Sequence, residues 1–114
     1  MGYDTRYTLR VDTAGNEATS VMVHQALLEC DDASFALTLD ERAKDYYESK
    51  HPAKWYDYDR DLRRISKEFT GVVFTLNGMG DDRKDIWQAF YCDGRGYREE
   101  ALITFPAFSY GKLK

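Results

Sequence analysis

Three segments of the chain alternate hydrophobic and polar residues, and this period of two predicts strands with one buried face. They cover residues 6–11, 34–39 and 71–78. Their inward positions are expected to be Tyr7, Leu9 and Val11; Phe35, Leu37 and Leu39; and Val72, Phe74 and Leu76. The pattern therefore predicts a sheet whose inner face is aromatic and aliphatic.

Two further strands are expected after the third. The segment IWQAFYC, residues 86–92, is the natural hairpin partner of residues 71–78, and the Asp-Gly pair that follows it is typical of a tight turn. The turn leads to a strand over residues 98–105, which Pro106 ends because proline cannot donate to a sheet ladder. Residues 105–114 are then expected to form a docked C-terminal tail.

A helix is predicted most clearly over residues 58–69. Its apolar stripe, spaced three or four residues apart, consists of Tyr58, Leu62, Ile65 and Phe69. Asp57 is the expected N-cap, and the aspartates of the first turn complement the helix dipole. Gly71 lies just past the end and is an appropriate stop signal.

The rest of the first half is less regular. Residues 21–30 predict a short helix with Met22, Ala26 and Cys30 on its inner face. Residues 40–54 are polar and mixed in charge, so they predict either a short exposed helix or an irregular crossover.

The resulting order is strand, helix, strand, crossover, helix and three strands. This order predicts the α+β class, with a mostly antiparallel sheet and the helices packed on one face. A ferredoxin-like split βαβ arrangement is one topology that fits. No internal repeat or linker-like segment interrupts residues 1–114, which are therefore expected to form a single domain.

Composition narrows the class of protein. Hydrophobic residues make up 43% of the chain and aromatic residues 15%, which favours a folded globule over disorder. The net charge of −4 disfavours non-specific binding to nucleic acid or to anionic membranes. No apolar run is long enough to span a bilayer and no signal peptide is recognisable. We therefore expect a cytoplasmic protein with Cys30 and Cys92 reduced.

The stretch WYDYDRDLRRISKE, residues 55–68, contains the carboxylate spacing of an EF-hand calcium loop. Its oxygens would come from Asp57, Asp59, Asp61 and Glu68. The sharp turn of that loop needs glycine at its sixth position, but Leu62 stands there and belongs to the helical stripe. A chain cannot coil as a helix and also wrap the same residues around an ion, so the helix is favoured.

The acidic cluster of Asp81, Asp82 and Asp85 resembles a magnesium motif, but Arg83 and Lys84 would compete for its carboxylates. We expect a solvated hairpin loop, with a recognition loop as the functional alternative. No spacing suggests a nucleophile with its base, and the Gly-x-Gly that precedes the cluster is too short for a phosphate cradle. The sequence therefore predicts a protein that is not an enzyme and has no cofactor or metal.

Aromatic residues supply two binding hypotheses. The strand aromatics Tyr7, Phe74, Trp87 and Tyr91, with arginines beside the Asp-Gly turn, suggest a surface on which bases stack. Aromatic residues that alternate along a strand are, however, more often core residues. Trp55 and Tyr56, just before the helix, either pin that helix to the sheet or face a partner protein.

A family resemblance covers residues 54 to about 112. The run KWYDYDRDLRRISKEFTGVVFTLNGMG, then DIWQAFYCDG and ITFPAF, resembles small proteins of phages and prophages that look related to ferredoxin-like proteins of plasmids and phages. The matching positions are Lys54, Trp55, Asp57, Asp61, Leu62, Ile65, Ser66, Phe74, Leu76, Gly78, Gly80, Asp85 and Trp87. Thr70-Gly71 departs from the pattern, which usually has proline there. The resemblance implies an α+β fold and a phage origin but no activity.

The leading hypothesis is a small non-enzymatic phage-type accessory protein that binds a host protein, for example as an inhibitor of a host defence system. Its expected contact residues are Trp55, Tyr56, Asp81, Asp82, Asp85 and Arg95. The first alternative is a module that binds a nucleotide or single-stranded RNA or DNA, and the second is a small enzyme. We expect a monomer or small homo-oligomer that does not bind membranes.

Overall fold

The computed structural model describes residues 5–39, 45–49, 51–80, 86–100 and 110–113. The strands are β1 (Thr5–Asp12), β2 (Tyr46–Glu48), β3 (Val73–Gly80), β4 (Ile86–Cys92) and β5 (Arg95–Glu100). The α-helices are α1 (Glu17–Glu29), α2 (Asp31–Ala36) and α3 (Tyr58–Glu68), and a short 3-10 helix covers Tyr110–Lys112.

The strands form one five-stranded sheet in the order β2-β1-β3-β4-β5, and each neighbouring pair is antiparallel. The predicted α+β class is confirmed. Since β1 lies between β2 and β3 and is antiparallel to both, β2, α3 and β3 form one split βαβ unit. The ferredoxin-like order is not confirmed, because that fold contains two such units and the described strands contain one.

The hydrophobic core lies between one face of the sheet and the three helices. Strand residues alternate between buried and exposed, as a pleated strand requires. The sheet contributes Tyr7, Leu9, Val11, Tyr47, Phe74, Leu76, Trp87, Ala89 and Tyr91, and the helices contribute Val23, Leu27, Ala33, Ala36, Leu62 and Ile65. The three α-helices therefore pack on the same face, as predicted.

The predicted second strand over residues 34–39 is wrong. Residues Asp31–Ala36 form α2, and Phe35, an expected core residue, is 80% exposed. Two aspartates in the first turn favour the helix, and Ala33 and Ala36 supply its buried face. The strand that takes this place in the sheet is β2, which lies inside the segment predicted to be a helix or crossover.

The first helix is confirmed, but its predicted inner face is wrong at Met22, which is 60% exposed. The helix begins earlier than predicted because Asn16 caps it, accepting a hydrogen bond from the Thr19 amide at 3.1 Å. Ser20, Val23 and Leu27 form the buried stripe instead.

The predictions for α3 and the last hairpin hold with small changes. Leu62 and Ile65 are buried as expected, while Asp57 occupies the cap position without capping and pairs with Arg60 at 3.2 Å. Asp93 and Gly94 both have positive φ, 54° and 81°, the signature of a two-residue type I′ turn. β5 therefore starts at Arg95, earlier than predicted. The acidic cluster at 81–85 and Pro106 lie outside the described residues.

Candidate functional site

The face of the sheet opposite the described helices is the most distinctive surface of the molecule, and we call it the open face. It is formed by the outward positions of all five strands. These are Tyr46 and Glu48; Arg6, Thr8, Arg10 and Asp12; Val73, Thr75, Asn77 and Met79; Ile86, Gln88, Phe90 and Cys92; and Arg95, Tyr97 and Glu99.

The strand register arranges these side chains in four rows across the sheet. The two central rows cross all five strands. The polar row is Glu48, Thr8, Asn77, Gln88 and Glu99, and the aromatic row is Tyr46, Arg10, Thr75, Phe90 and Tyr97. The two outer rows are Arg6, Met79 and Ile86 on one side and Asp12, Val73, Cys92 and Arg95 on the other.

Side chains in the aromatic row contact one another directly. The guanidinium of Arg10 lies 5.7 Å from the ring centroid of Tyr46. The rings of Phe90 and Tyr97 lie 5.2 Å apart across β4 and β5. A depression of about 420 Å³ beside this pair is lined mainly by apolar groups and includes Val73, Cys92 and Arg95.

The charge of the open face differs from that of the whole chain, which carries −4. Three arginines, Arg6, Arg10 and Arg95, are matched by three carboxylates, and no lysine lies on the described part of this face. Solvated faces of antiparallel sheets are normally polar. Here Val73, Met79 and Tyr97 are exposed among the polar residues.

Trp55 lies in the core, so its ring has no surface to offer a partner. It is 1% exposed, and its indole Nε1 donates a hydrogen bond of 2.8 Å to Asp61 Oδ2. Its backbone amide donates to the Tyr7 hydroxyl at 3.1 Å. Of the two interpretations of this residue, the structure supports the one in which it pins the start of α3 to the sheet.

The other predicted contact residues are placed differently. Tyr56 is 70% exposed beside the N-terminus of α3, on the helix side of the molecule. Arg95 is exposed on the open face, at the start of β5. The structure does not bring Tyr56 and Arg95 to one face, and the predicted Asp81, Asp82 and Asp85 lie outside the described residues.

The aspartates of α3 serve the interior rather than an ion. Asp59 accepts hydrogen bonds from the Tyr91 hydroxyl at 3.0 Å and from Arg63 Nε at 2.9 Å. Burial, with a smaller contribution from Asp59, raises the pKa of Tyr91. The phenol therefore stays protonated and donates, which fixes the helix to β4.

A polar cleft between the α1–α2 junction and α3 contains Cys30, Asp31, Arg60, Asp61 and Arg64. Burial raises the pKa of the Cys30 thiol, and the carboxylate of Asp61 adds to that shift. The thiol is therefore protonated near neutral pH and is a poor nucleophile. Among the described residues, no group of three or more His, Cys, Asp or Glu side chains is placed to bind a metal ion.

Comparison with known proteins gives no family for this chain. No family model, curated protein sequence or solved structure matches it. None of the described helices has the length and apolar character that crossing a membrane requires.

Sequence reasoning missed most of the open face. Tyr46, Phe90, Tyr97 and Met79 were not among the predicted contact residues. One signal was present: in IWQAFYC the outward positions Ile86 and Phe90 are as apolar as the inward ones. A strand with two apolar faces is expected either in the middle of a protein or at a binding surface.

Proposed function

We propose that this chain is a small non-enzymatic protein that binds another protein through the open face of its sheet. The observation that carries the proposal is the aromatic row, in which exposed Tyr46 and Tyr97 flank Arg10 and Phe90 across all five strands.

The residue types of this face are those that stabilise protein interfaces. Tyrosine and arginine are enriched among residues that contribute most of the binding energy, and methionine is enriched at interfaces while lysine is depleted. Within the rows, apolar and aromatic side chains lie beside arginines. The acidic side chains lie towards the edges of the open face. A partner with a comparable apolar patch and balanced charge would complement this arrangement.

Single-stranded nucleic acid is a weaker candidate for the same face. The aromatic residues on which bases were expected to stack, Tyr7, Phe74, Trp87 and Tyr91, are all buried beneath the helices. The three arginines of the open face are balanced by Asp12, Glu48 and Glu99, so the described face has no excess positive charge to neutralise phosphates.

The class of partner comes from the resemblance to phage and prophage proteins. We propose a host protein, and an inhibitor of a host defence system is the form of accessory protein that we favour. No catalytic constellation in the described residues competes with this binding role, and the buried Cys30 has the raised pKa of an inert thiol.

Affinity capture from a bacterial lysate tests the proposal. The wild-type chain is expected to retain a stoichiometric protein, and Tyr97→Ala together with Arg10→Ala is expected to weaken its binding at least tenfold. Tyr56→Ala and Phe35→Ala remove exposed rings on the helix side and serve as matched controls. Thermal unfolding confirms that each variant is folded.

Two results would contradict the proposal. One is a folded wild-type chain that captures no stoichiometric protein. The other is a partner whose binding is lost with Tyr56→Ala but unaffected by the open-face variant, which would place the site at the start of α3. Anisotropy with labelled single-stranded oligonucleotides at low salt tests the nucleic-acid alternative directly.

A further inference from the structure

The open face carries a charge pattern that is complementary to itself. In one outer row Asp12 lies on β1 and Arg95 on β5, with Val73 and Cys92 between them. In the aromatic row the same two strands carry Arg10 and Tyr97. β1 and β5 therefore present groups that attract each other at matching positions along the strands.

The two strands between them, β3 and β4, carry groups of the same kind in three of the four rows. Val73 on β3 is level with Cys92 on β4, Asn77 with Gln88, and Met79 with Ile86. These three pairs join apolar to apolar or amide to amide, and in the remaining row Thr75 is level with Phe90. In the first three rows the face can pack on a copy of itself without burying an unpaired polar side chain against an apolar one.

We propose that two copies of this chain pair open face to open face, about a two-fold axis that runs parallel to the strands between β3 and β4. Such an axis places each row of one copy over the same row of the other. β1 of one copy then lies over β5 of the other, and β3 lies over β4. The product is a two-layered β-sandwich with a helical layer on each outer side, at the usual sheet spacing of about 10 Å.

The axis makes the contacts between β1 of one copy and β5 of the other complementary. Asp12 of each copy meets Arg95 of the other, so the interface contains the ion pair twice. Arg10 meets the ring of Tyr97, again twice, in a cation–π contact. An axis perpendicular to the strands would also pair Asp12 with an arginine, Arg6. It would set the amide of Gln88 against the ring of Phe90, where the proposed axis sets the smaller side chain of Thr75.

The second copy uses the face that the proposed function assigns to a host protein, so the two would compete for it. The inference nevertheless depends only on the arrangement of charges and apolar groups described here. A partner protein that binds this face would convert the dimer to a one-to-one complex, and that exchange is a measurable consequence of both proposals together.

Sedimentation velocity on the full chain over a wide concentration range tests the dimer. The wild-type chain is expected to be dimeric at high concentration, while Asp12→Arg and Arg95→Asp are each expected to weaken association at least tenfold because like charges then meet. The double variant D12R/R95D restores opposite charges and is expected to recover dimerisation. With the proposed axis, the double variant D12R/R6D is not expected to recover dimerisation, because position 12 still faces Arg95.

Asp12 also accepts a hydrogen bond from the Ala14 amide at 3.0 Å, so its replacement by arginine removes a turn contact. Asp12→Asn keeps an oxygen for that contact, removes the charge and is expected to weaken the dimer several-fold. Glu17→Arg reverses an exposed acid on α1 and serves as the charge-matched control, with no effect on association.

Either of two results would overturn the dimer: a wild-type chain that stays monomeric at every concentration, or a double variant that associates no better than its two single variants. Recovery by D12R/R6D instead would overturn the proposed axis. A monomeric chain that still captures a host protein through Tyr97 and Arg10 would leave the proposed function standing.

Discussion

Trp55 and Asp61 show how the chemistry of single residues is used inside this fold. A carboxylate that is 4% exposed is costly to bury unless its oxygens are bonded. Asp61 receives the indole N–H of Trp55 at 2.8 Å and lies 3.6 Å from Arg60. Two carboxylates of the spacing that resembles a calcium loop therefore link α3 to its surroundings, Asp61 through Trp55 and Asp59 through Tyr91.

Asp61→Ala is expected to lower the free energy of unfolding by about 2–3 kcal/mol, because the buried indole N–H loses its acceptor. Urea unfolding followed by tryptophan fluorescence measures the change. Asp57→Ala removes an exposed carboxylate from the same helix and is expected to change stability by less than about 1 kcal/mol. An equal loss of unfolding free energy in Asp61→Ala and Asp57→Ala would show that the contact between Asp61 and Trp55 contributes nothing to stability.

At the scale of elements, α3 is attached to the β4–β5 hairpin by polar contacts at both ends. Near its N-terminus Asp59 accepts from the hydroxyl of Tyr91. Near its C-terminus the hydroxyl of Ser66 accepts the Gly94 amide at 3.0 Å, inside the tight turn. These contacts fix the helix relative to the hairpin, whose other face forms part of the open face.

Ser66→Ala is expected to cost about 1–2 kcal/mol of stability, because the amide of Gly94 loses its partner in a buried position. Amide hydrogen exchange at Gly94 should become faster, by more than the loss of global unfolding free energy explains. Ser34→Ala, on the exposed side of α2, is the matched control and should change neither quantity. Unchanged exchange at Gly94 would argue against the proposed attachment.

At the scale of the whole molecule, several tyrosines bury their hydroxyls in one core. Burial raises the pKa of Tyr47 to about 12, and it also raises the pKa of Tyr7 and Tyr91. In the unfolded chain these phenols ionise near pH 10. The folded state therefore holds protons that the unfolded state has already lost, and its stability must fall as the pH rises through this range.

For Tyr47 alone the expected fall is about 1.4 kcal/mol per pH unit between roughly pH 10 and pH 12. The contribution is fully present below pH 10 and is lost as the pH approaches the folded-state pKa. Tyr47→Phe should make the dependence of unfolding free energy on pH shallower, as measured by urea unfolding. Tyr56→Phe removes a hydroxyl from a ring that is 70% exposed and serves as the control.

Local patterns in the sequence were sufficient to predict the α+β class, the strands β1, β3 and β4, the helix α3 and the Asp-Gly turn. Each of these depends on a periodicity or a turn residue within about ten positions. The same reasoning failed at residues 34–39, where alternation was read as a strand. The two aspartates and two alanines of α2 favour a helix, and β2 pairs with β1 through contacts distant in sequence.

The sequence by itself determined that β1, β3 and β4 alternate and that α3 coils, because backbone geometry imposes those periods on any buried face. Only the tertiary structure decided the strand order, the burial of Trp55 and the exposure of the aromatic row. Those depend on which face of the sheet the helices cover, and that choice follows from contacts summed over the whole core. Only the register shows that Asp12 and Arg95 lie in the same row of the sheet.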